Sequence, residues 1–212
     1  MDLINFVNKI QRIENELKKP LPGESAQFLM MPQTRPRNLD FNKENAKLSS
    51  VLLLLFPKNN ELHLVFIERA ESGGVHSGQI SFPGGKYDKT DKDLVHTALR
   101  ETFEEIGVDL QNVKILGSLS DLFIPVSNYI VCPFVGCCEG ELNFRINYTE
   151  VASVIEVSLS HLLNEKNQTN GRVKVLNNEY LVPVYNVSDF KIWGATAMIL
   201  SEFLTVLRNA GF

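Results

Sequence analysis

The chain has 212 residues, 44% of them hydrophobic and 22% charged, with a formal net charge of -4. That length can bury a full core, and that balance is the composition of a soluble globular protein. There is no basic excess to displace counterions from a nucleic acid, and the longest apolar run, SSVLLLLF, is far too short to span a bilayer.

Leu3, Phe6, Val7, Ile10, Ile13 and Leu17 recur at helical spacing, and Pro20, Pro22 and Gly23 end that helix. The segment mixes charge throughout and holds no uninterrupted apolar stretch, so it does not read as a secretory signal, and a cytoplasmic location is expected. Residues 1–47 are expected to form an N-terminal helix and arm, and residues 48–212 the main domain. SSVLLLLF and LHLVFIER read as two strands joined by the turn-like PKNNE, the first buried on both faces. A long glycine-bearing loop follows, then a helix from about Asp91 to Ile106, with Thr90 and Asp93 spaced as a capping box and Gly107 placed to stop it.

Beyond it, VKILGSLSDLF, NYIVCPFVGCC and EVASVIEVSL read as strands, LNEKNQTNGR as a polar loop and EYLVPVYNV as another strand. WGATAMILSEFLTVLRN is apolar at helical spacing and ends at Gly211. The expected class is mixed α/β (α+β), a sheet held between helices. Cys132, Cys137 and Cys138 form no CxxC pair and have no histidine array nearby, so reduced, partly buried thiols are expected rather than zinc ligands.

The stretch ALRETFEEIG carries Glu101, Glu104 and Glu105 at i, i+3 and i+4, a spacing at which like charges repel. With Arg100 set at zero on a wheel of ~100° per residue, Glu104, Glu101 and Glu105 fall near ~40°, ~100° and ~140°. Val95, Leu99, Thr102 and Ile106 fall between about 200° and 260°, with Phe103 at their edge. The expectation is an apolar stripe for the core and a separate acid stripe pointing outward and converging on a hard divalent cation. A solvated acidic helix face is the ordinary alternative for such a triplet.

The surroundings decide between them. GGKYDKTDKDLVHTALRETFEEIGV resembles the Nudix box, whose form is Gly, five residues, Glu, seven residues, then Arg-Glu-apolar-x-Glu-Glu-x-Gly-apolar. Arg100, Glu101, Glu104, Glu105, Gly107 and Val108 match outright. Thr102 stands where an aliphatic residue is preferred, Gly85 lies one residue further from Arg100 than the general form allows, and the expected glutamate falls on Lys92 with Asp91 beside it. HSGQISFPGG and the late KIWGATAMIL resemble signatures of the coenzyme A pyrophosphatase subgroup, with Gly74 at that subgroup's arginine position. The similarity covers about residues 48–212.

The resemblance implies a Nudix fold with a loop-helix-loop motif, and hydrolysis of a nucleoside diphosphate linked to another group. Coenzyme A or its thioesters is the first choice; ADP-ribose or another nucleoside diphosphate derivative is the near alternative, and a nucleotide sensor without turnover the remote one. By the same resemblance Glu101, Glu104, Glu105 and the Gly85 carbonyl would hold Mg²⁺ or Mn²⁺, and Arg100 would orient a box carboxylate. Glu105 or Glu150 would act as general base. His76, Gln79, Gly84, Gly85 and Lys86 are the substrate-binding candidates; His76 and Lys86 read either as phosphate contacts or as loop and surface residues, and Gln79 and Phe82 more as loop supports. His96 is expected to be solvated, and Trp193 and Tyr185 read either as a stacking surface for adenine or, more in keeping with single aromatics near a helix entry, as core. No nucleic-acid or membrane partner is expected, and the state is a monomer or homodimer.

Overall fold

The computed structural model describes residues 1–33, 45–71, 78–175 and 178–212. In chain order the elements begin with α1 (Leu3–Leu17), α2 (Glu24–Gln27), β1 (Lys47–Lys58), β2 (Glu61–Arg69), β3 (Ile80–Ser81), β4 (Gly84–Lys86) and α3 (Leu94–Ile106). They continue with β5 (Lys114–Ser118), β6 (Leu122–Ile124), β7 (Tyr129–Cys137), β8 (Val151–Ser158), α4 (Leu159–Leu163), β9 (Gln168–Val175), β10 (Asn178–Val187), β11 (Phe190–Ile192) and α5 (Gly194–Asn209). The fold is a mixed sheet between helices, as the sequence leads one to expect.

The apolar run in β1 serves two cores at once because successive strand side chains face opposite ways. Leu52, Leu54 and Phe56 pack with Ala98 and Ile106 of α3. Leu53 and Leu55 join Phe6, Ile10 and Ile13 of α1 and Phe203, Leu204 and Leu207 of α5 on the other face. β1 runs parallel to β7 along Lys47–Leu55 and antiparallel to β2 only over Leu55–Lys58. Towards its start β1 pairs instead with β4, and the far half of β2 pairs with β3 on that same edge and with β8 on the other. The sheet therefore parts between β1 and β2, and the segment Ile80–Lys86 occupies the opening.

A second, three-stranded sheet runs β11-β10-β9. It corrects one expectation: Gln168–Arg172 is not loop but the start of β9. Its polarity reflects an exposed edge strand with one partner, so few of its side chains are buried. The end of α1 is held by Arg12, which donates to the carbonyls of Ala210 and Gly211 and lies 5.0 Å from the Phe212 ring centroid. Glu202 of α5 is fully buried and accepts from the backbone N–H of Gly23 at 3.0 Å, Gln27 Nε2 at 2.9 Å and the N–H of Ser120 at 3.3 Å. Among the described residues no helix is long and apolar enough to cross a membrane.

Candidate active site

Helix α3 starts later than expected. Asp93, not Thr90, is its N-cap, accepting from the His96 N–H at 2.7 Å, while Thr90 closes a local turn onto Asp88. Gly107 ends the helix in the left-handed region at φ 67°, as its position suggests.

The buried face of α3 differs from the expected stripe. Thr97, Ala98, Thr102, Glu105 and Ile106 are buried, whereas Phe103 is 49% exposed and Val95 and Leu99 only half-buried. The helix is rotated so that Glu105 sits underneath it, 1% exposed. Small and hydroxyl side chains make this possible: Ala98 lets the helix approach the sheet, and the hydroxyls of Thr97 and Thr102 satisfy themselves on Asp91 at 2.9 Å and on the Ala98 carbonyl at 2.7 Å. Glu105 in turn accepts from the Gly84 N–H at 2.9 Å, in the opening of the sheet.

Only glycine fits at Gly84. Its φ is 147°, and a Cβ would strike the Ser50 carbonyl and lie 2.6 Å from Val51 Cα. At Gly85 a Cβ would overlap the Glu101 carboxylate, so the two groups touch face to face. Both glycines were candidates, and both lie against the acids.

Arg100 organises the remainder. Its Nε and Nη2 donate to the two oxygens of Asp91 at 2.8 and 2.9 Å, its Nη1 to Glu101 and Glu104 at 3.0 Å each, and Nη2 also to the Lys86 carbonyl at 3.2 Å. Asp91 is 4% exposed and also receives the Asp88 N–H and faces His96 Nδ1 at 2.8 Å, so His96 is paired rather than merely solvated. The Arg100 guanidinium holds the Asp91 carboxyl well below the usual carboxylate range despite its burial. Asp91 takes the place the resemblance left to an exposed Lys92; the extra residue in the loop shifts the partner by one.

The three glutamates share a flank but do not converge on one point. Glu104 is half exposed and held by Arg100, Glu101 lies between Arg100 and Gly85, and Glu105 is beneath the helix. Among the described residues no three His, Cys, Asp or Glu side chains form a closed metal cluster. The donor set nevertheless suits a hard divalent cation. Burial pushes the Glu105 carboxyl up to about 8, against the Gly84 N–H and Arg69, with Glu101 and Glu150 adding to the rise. Burial likewise raises Glu101, against Arg100. Two carboxyls that are costly to ionise side by side are groups a cation would stabilise as anions.

Glu150 is exposed, yet its charge reaches both Glu101 and Glu105. Arg69, which the sequence reading did not single out, places Nη1 3.8 Å from Glu105. The signal available was a cation closing a buried strand. Arg69, Gln79, Gly84, Gly85 and Lys86 all line a cleft of about 830 Å³. Lys86 is exposed there and Gln79 half-buried, while Phe82 is buried and stacks on Phe66 with centroids 4.9 Å apart. His76 lies outside the described residues. Tyr185 is buried in the core, but Trp193 is only half-buried and lines the cleft. The three thiols are free and buried, pushed up to between about 11 and 12 by burial, as inert cysteines should be.

Comparison with known proteins gives concordant results. The family described as NUDIX domain matches residues 46–178. A Photorhabdus laumondii protein named uncharacterized Nudix hydrolase NudL is 32% identical over 202 residues, covering 95% of this chain and 96% of that one. The Mus musculus protein named mitochondrial coenzyme A diphosphatase NUDT8 is 37% identical over 143 residues, covering 66% of this chain and 67% of that one. The crystal structure of a Nudix hydrolase from M. smegmatis matches with a TM-score of 0.56 at 14% identity, over 85% of this chain and 94% of that chain, a likeness of fold alone.

Proposed function

The chain belongs to the Nudix hydrolase family and is a pyrophosphohydrolase, and from that premise we propose that it cuts coenzyme A or its thioesters at the diphosphate bond. The products would be 4'-phosphopantetheine, or its acyl form, and adenosine 3',5'-bisphosphate. The observation that carries this reading is the continuity of the Gly84–Lys86 strand with both the acid cluster and a cleft of about 830 Å³ whose lining includes Arg69 and Lys86. The likeness to the mouse coenzyme A diphosphatase supports the same substrate class.

In this reading Glu101 and Glu105, with Glu104 and the Gly85 backbone, hold Mg²⁺ or Mn²⁺. Such an ion supplies charge neutralisation on the phosphoryl oxygens and makes water easier to deprotonate. Arg100, locked by Asp91 and the Lys86 carbonyl, aims Glu101 and Glu104. Arg69 and Lys86 bind the diphosphate oxygens, Arg69 supplying the cation that Gly74 does not. Glu150 faces solvent and has no cation partner among the described residues, so it is the better placed of the two base candidates to accept the proton of the attacking water.

Incubating the purified protein with Mg²⁺ or Mn²⁺ and, separately, coenzyme A, ADP-ribose and a dinucleoside polyphosphate, then resolving products by chromatography, tests the reading. Coenzyme A should yield the two phosphorylated halves. Cleavage of ADP-ribose without cleavage of coenzyme A would reject the assignment.

A further inference from the structure

We propose that the part of the cleft remote from the acids is a channel for the uncharged pantetheine arm of the substrate and for an apolar acyl group on its sulfur. Acyl thioesters would then be preferred over free coenzyme A. The inference rests on the substrate reading above and adds which arm goes where.

The cleft is asymmetric in charge. Arg69 and Lys86 are the cations among its lining residues, and both belong to the end that holds Gly84 and Gly85. Ile124 and Val126 lie at and beyond the end of β6, which β1 and β7 separate from β4, and Tyr180, Val182, Trp193 and Ile199 also line the cleft. None of these side chains carries a charge. The uncharged lining is thus drawn from both sheets, through β6 and β10, and from the entry of α5. The β10 part of that lining is firm: Val182 is 2% exposed and packs in a small cluster with Val173, Val184, Tyr180 and Trp193.

Coenzyme A offers two arms to such a channel. The adenosine arm carries a further phosphate at its 3' position, and among the described lining residues Val126, Tyr180 and Trp193 offer that dianion no counter-charge. The pantetheine arm carries no ion, and its two amides can be served by backbone or water at the rim. An acyl chain on the sulfur extends this arm with hydrocarbon, and each methylene taken out of water should raise kcat/KM about two- to fourfold until the channel is filled. The adenosine bisphosphate arm is left to the cationic end.

Trp193 is the single tryptophan of the chain and so reports on the channel without a label. Metal-free protein, which does not turn over, is titrated with S-octanoyl-pantetheine, which has no phosphate, and separately with adenosine 3',5'-bisphosphate. The acyl-pantetheine should change Trp193 emission saturably and the bisphosphate should not. Val126 is 87% exposed, so Val126→Glu should fold; with Tyr180→Asp it should weaken acyl-pantetheine binding and lower the kcat/KM ratio of octanoyl-coenzyme A to coenzyme A, each by about tenfold. An emission change with the bisphosphate alone, or kcat/KM indifferent to chain length from acetyl to octanoyl, overturns the channel. Cleavage of coenzyme A with no response to acyl-pantetheine would sink the channel and leave the substrate reading intact. Saturable acyl-pantetheine binding without cleavage of any coenzyme A compound would do the reverse.

Discussion

Among the described residues two glutamates are buried, on opposite faces of the central sheet, and they are satisfied very differently. Glu202 of α5, fully enclosed, receives hydrogen bonds from Gly23, Gln27 and Ser120. Glu105 of α3, 1% exposed, receives one hydrogen bond among the described residues, from Gly84, and a more distant Arg69. Desolvating a carboxylate is costly unless its lone pairs are used. Glu202 uses them on the protein and so ties the Gly23–Gln27 arm and the Ser120 turn to α5. Glu105 uses fewer of them, beneath α3 and beside Gly84 of the cleft wall, and the proposed cation would complete its shell.

The sharpest break of that contrast is Glu105→Gln. With Mg²⁺ present kcat should fall by about 10³-fold or more, which is about 4 kcal/mol of barrier, while the urea midpoint of the metal-free protein stays level or rises because a buried carboxyl that is costly to ionise has gone. Glu202→Ala should behave the opposite way. It strands the donors of Gly23, Gln27 and Ser120, costs about 3 kcal/mol in urea unfolding, and leaves kcat per folded molecule within about twofold. A fall in kcat at Glu202 as deep as that at Glu105 would show that the two carboxylates do not divide the labour.

Gly85→Ala should lie between these two. Its methyl would displace the Glu101 carboxylate, and a shift of about 1 Å in a reacting group costs about 10²-fold in rate, measurable as kcat with far-UV dichroism unchanged. Metal binding gives a gentler test. Mn²⁺ at about a hundred times its dissociation constant should stabilise the wild type by about 2.7 kcal/mol, read as a higher melting temperature, and should stabilise Glu105→Gln much less.

The smallest effect concerns pH. Asp91 is held below its ordinary value of 3.8 by Arg100, so the stability it contributes is present above that pH and is lost as pH falls below it. Wild type should therefore lose about 1–2 kcal/mol on acidification that Asp91→Asn does not lose, the two urea midpoints drawing together as pH drops.

What could be read in the sequence was what repeats with a period. The double burial of β1 follows from an unbroken apolar run, and α1, α3 and α5 from spacing and stop signals. The acid helix, its glycine stop and the Gly84–Gly85 pair were visible because their residue types are rare in that order. The facing of α3 was legible only in part: Thr102 and Ile106 fall on the expected stripe, but Glu105 and Thr97 look hydrophilic on a wheel and become core only through Gly84 and Asp91. Asp91 itself was hidden by a single inserted residue. β9 was hidden because an exposed edge strand has the composition of a loop, and Arg69 and Glu202 because a charge at a strand end or in a helix announces nothing about its partner.

The grip of Arg12 on Ala210 and of Glu202 on Gly23 has a consequence for how the molecule comes into being. Both contacts span more than 170 residues, and α1 packs on α5 as well as on β5, so part of its burial waits for residues made far later than itself. A ribosome therefore extrudes Phe6, Ile10 and Ile13 long before their α5 partners exist, and for that interval they are partly uncovered, sticky surface. A strain short of chaperones should lose this protein to inclusion bodies sooner than one whose neighbours in space are also neighbours in time.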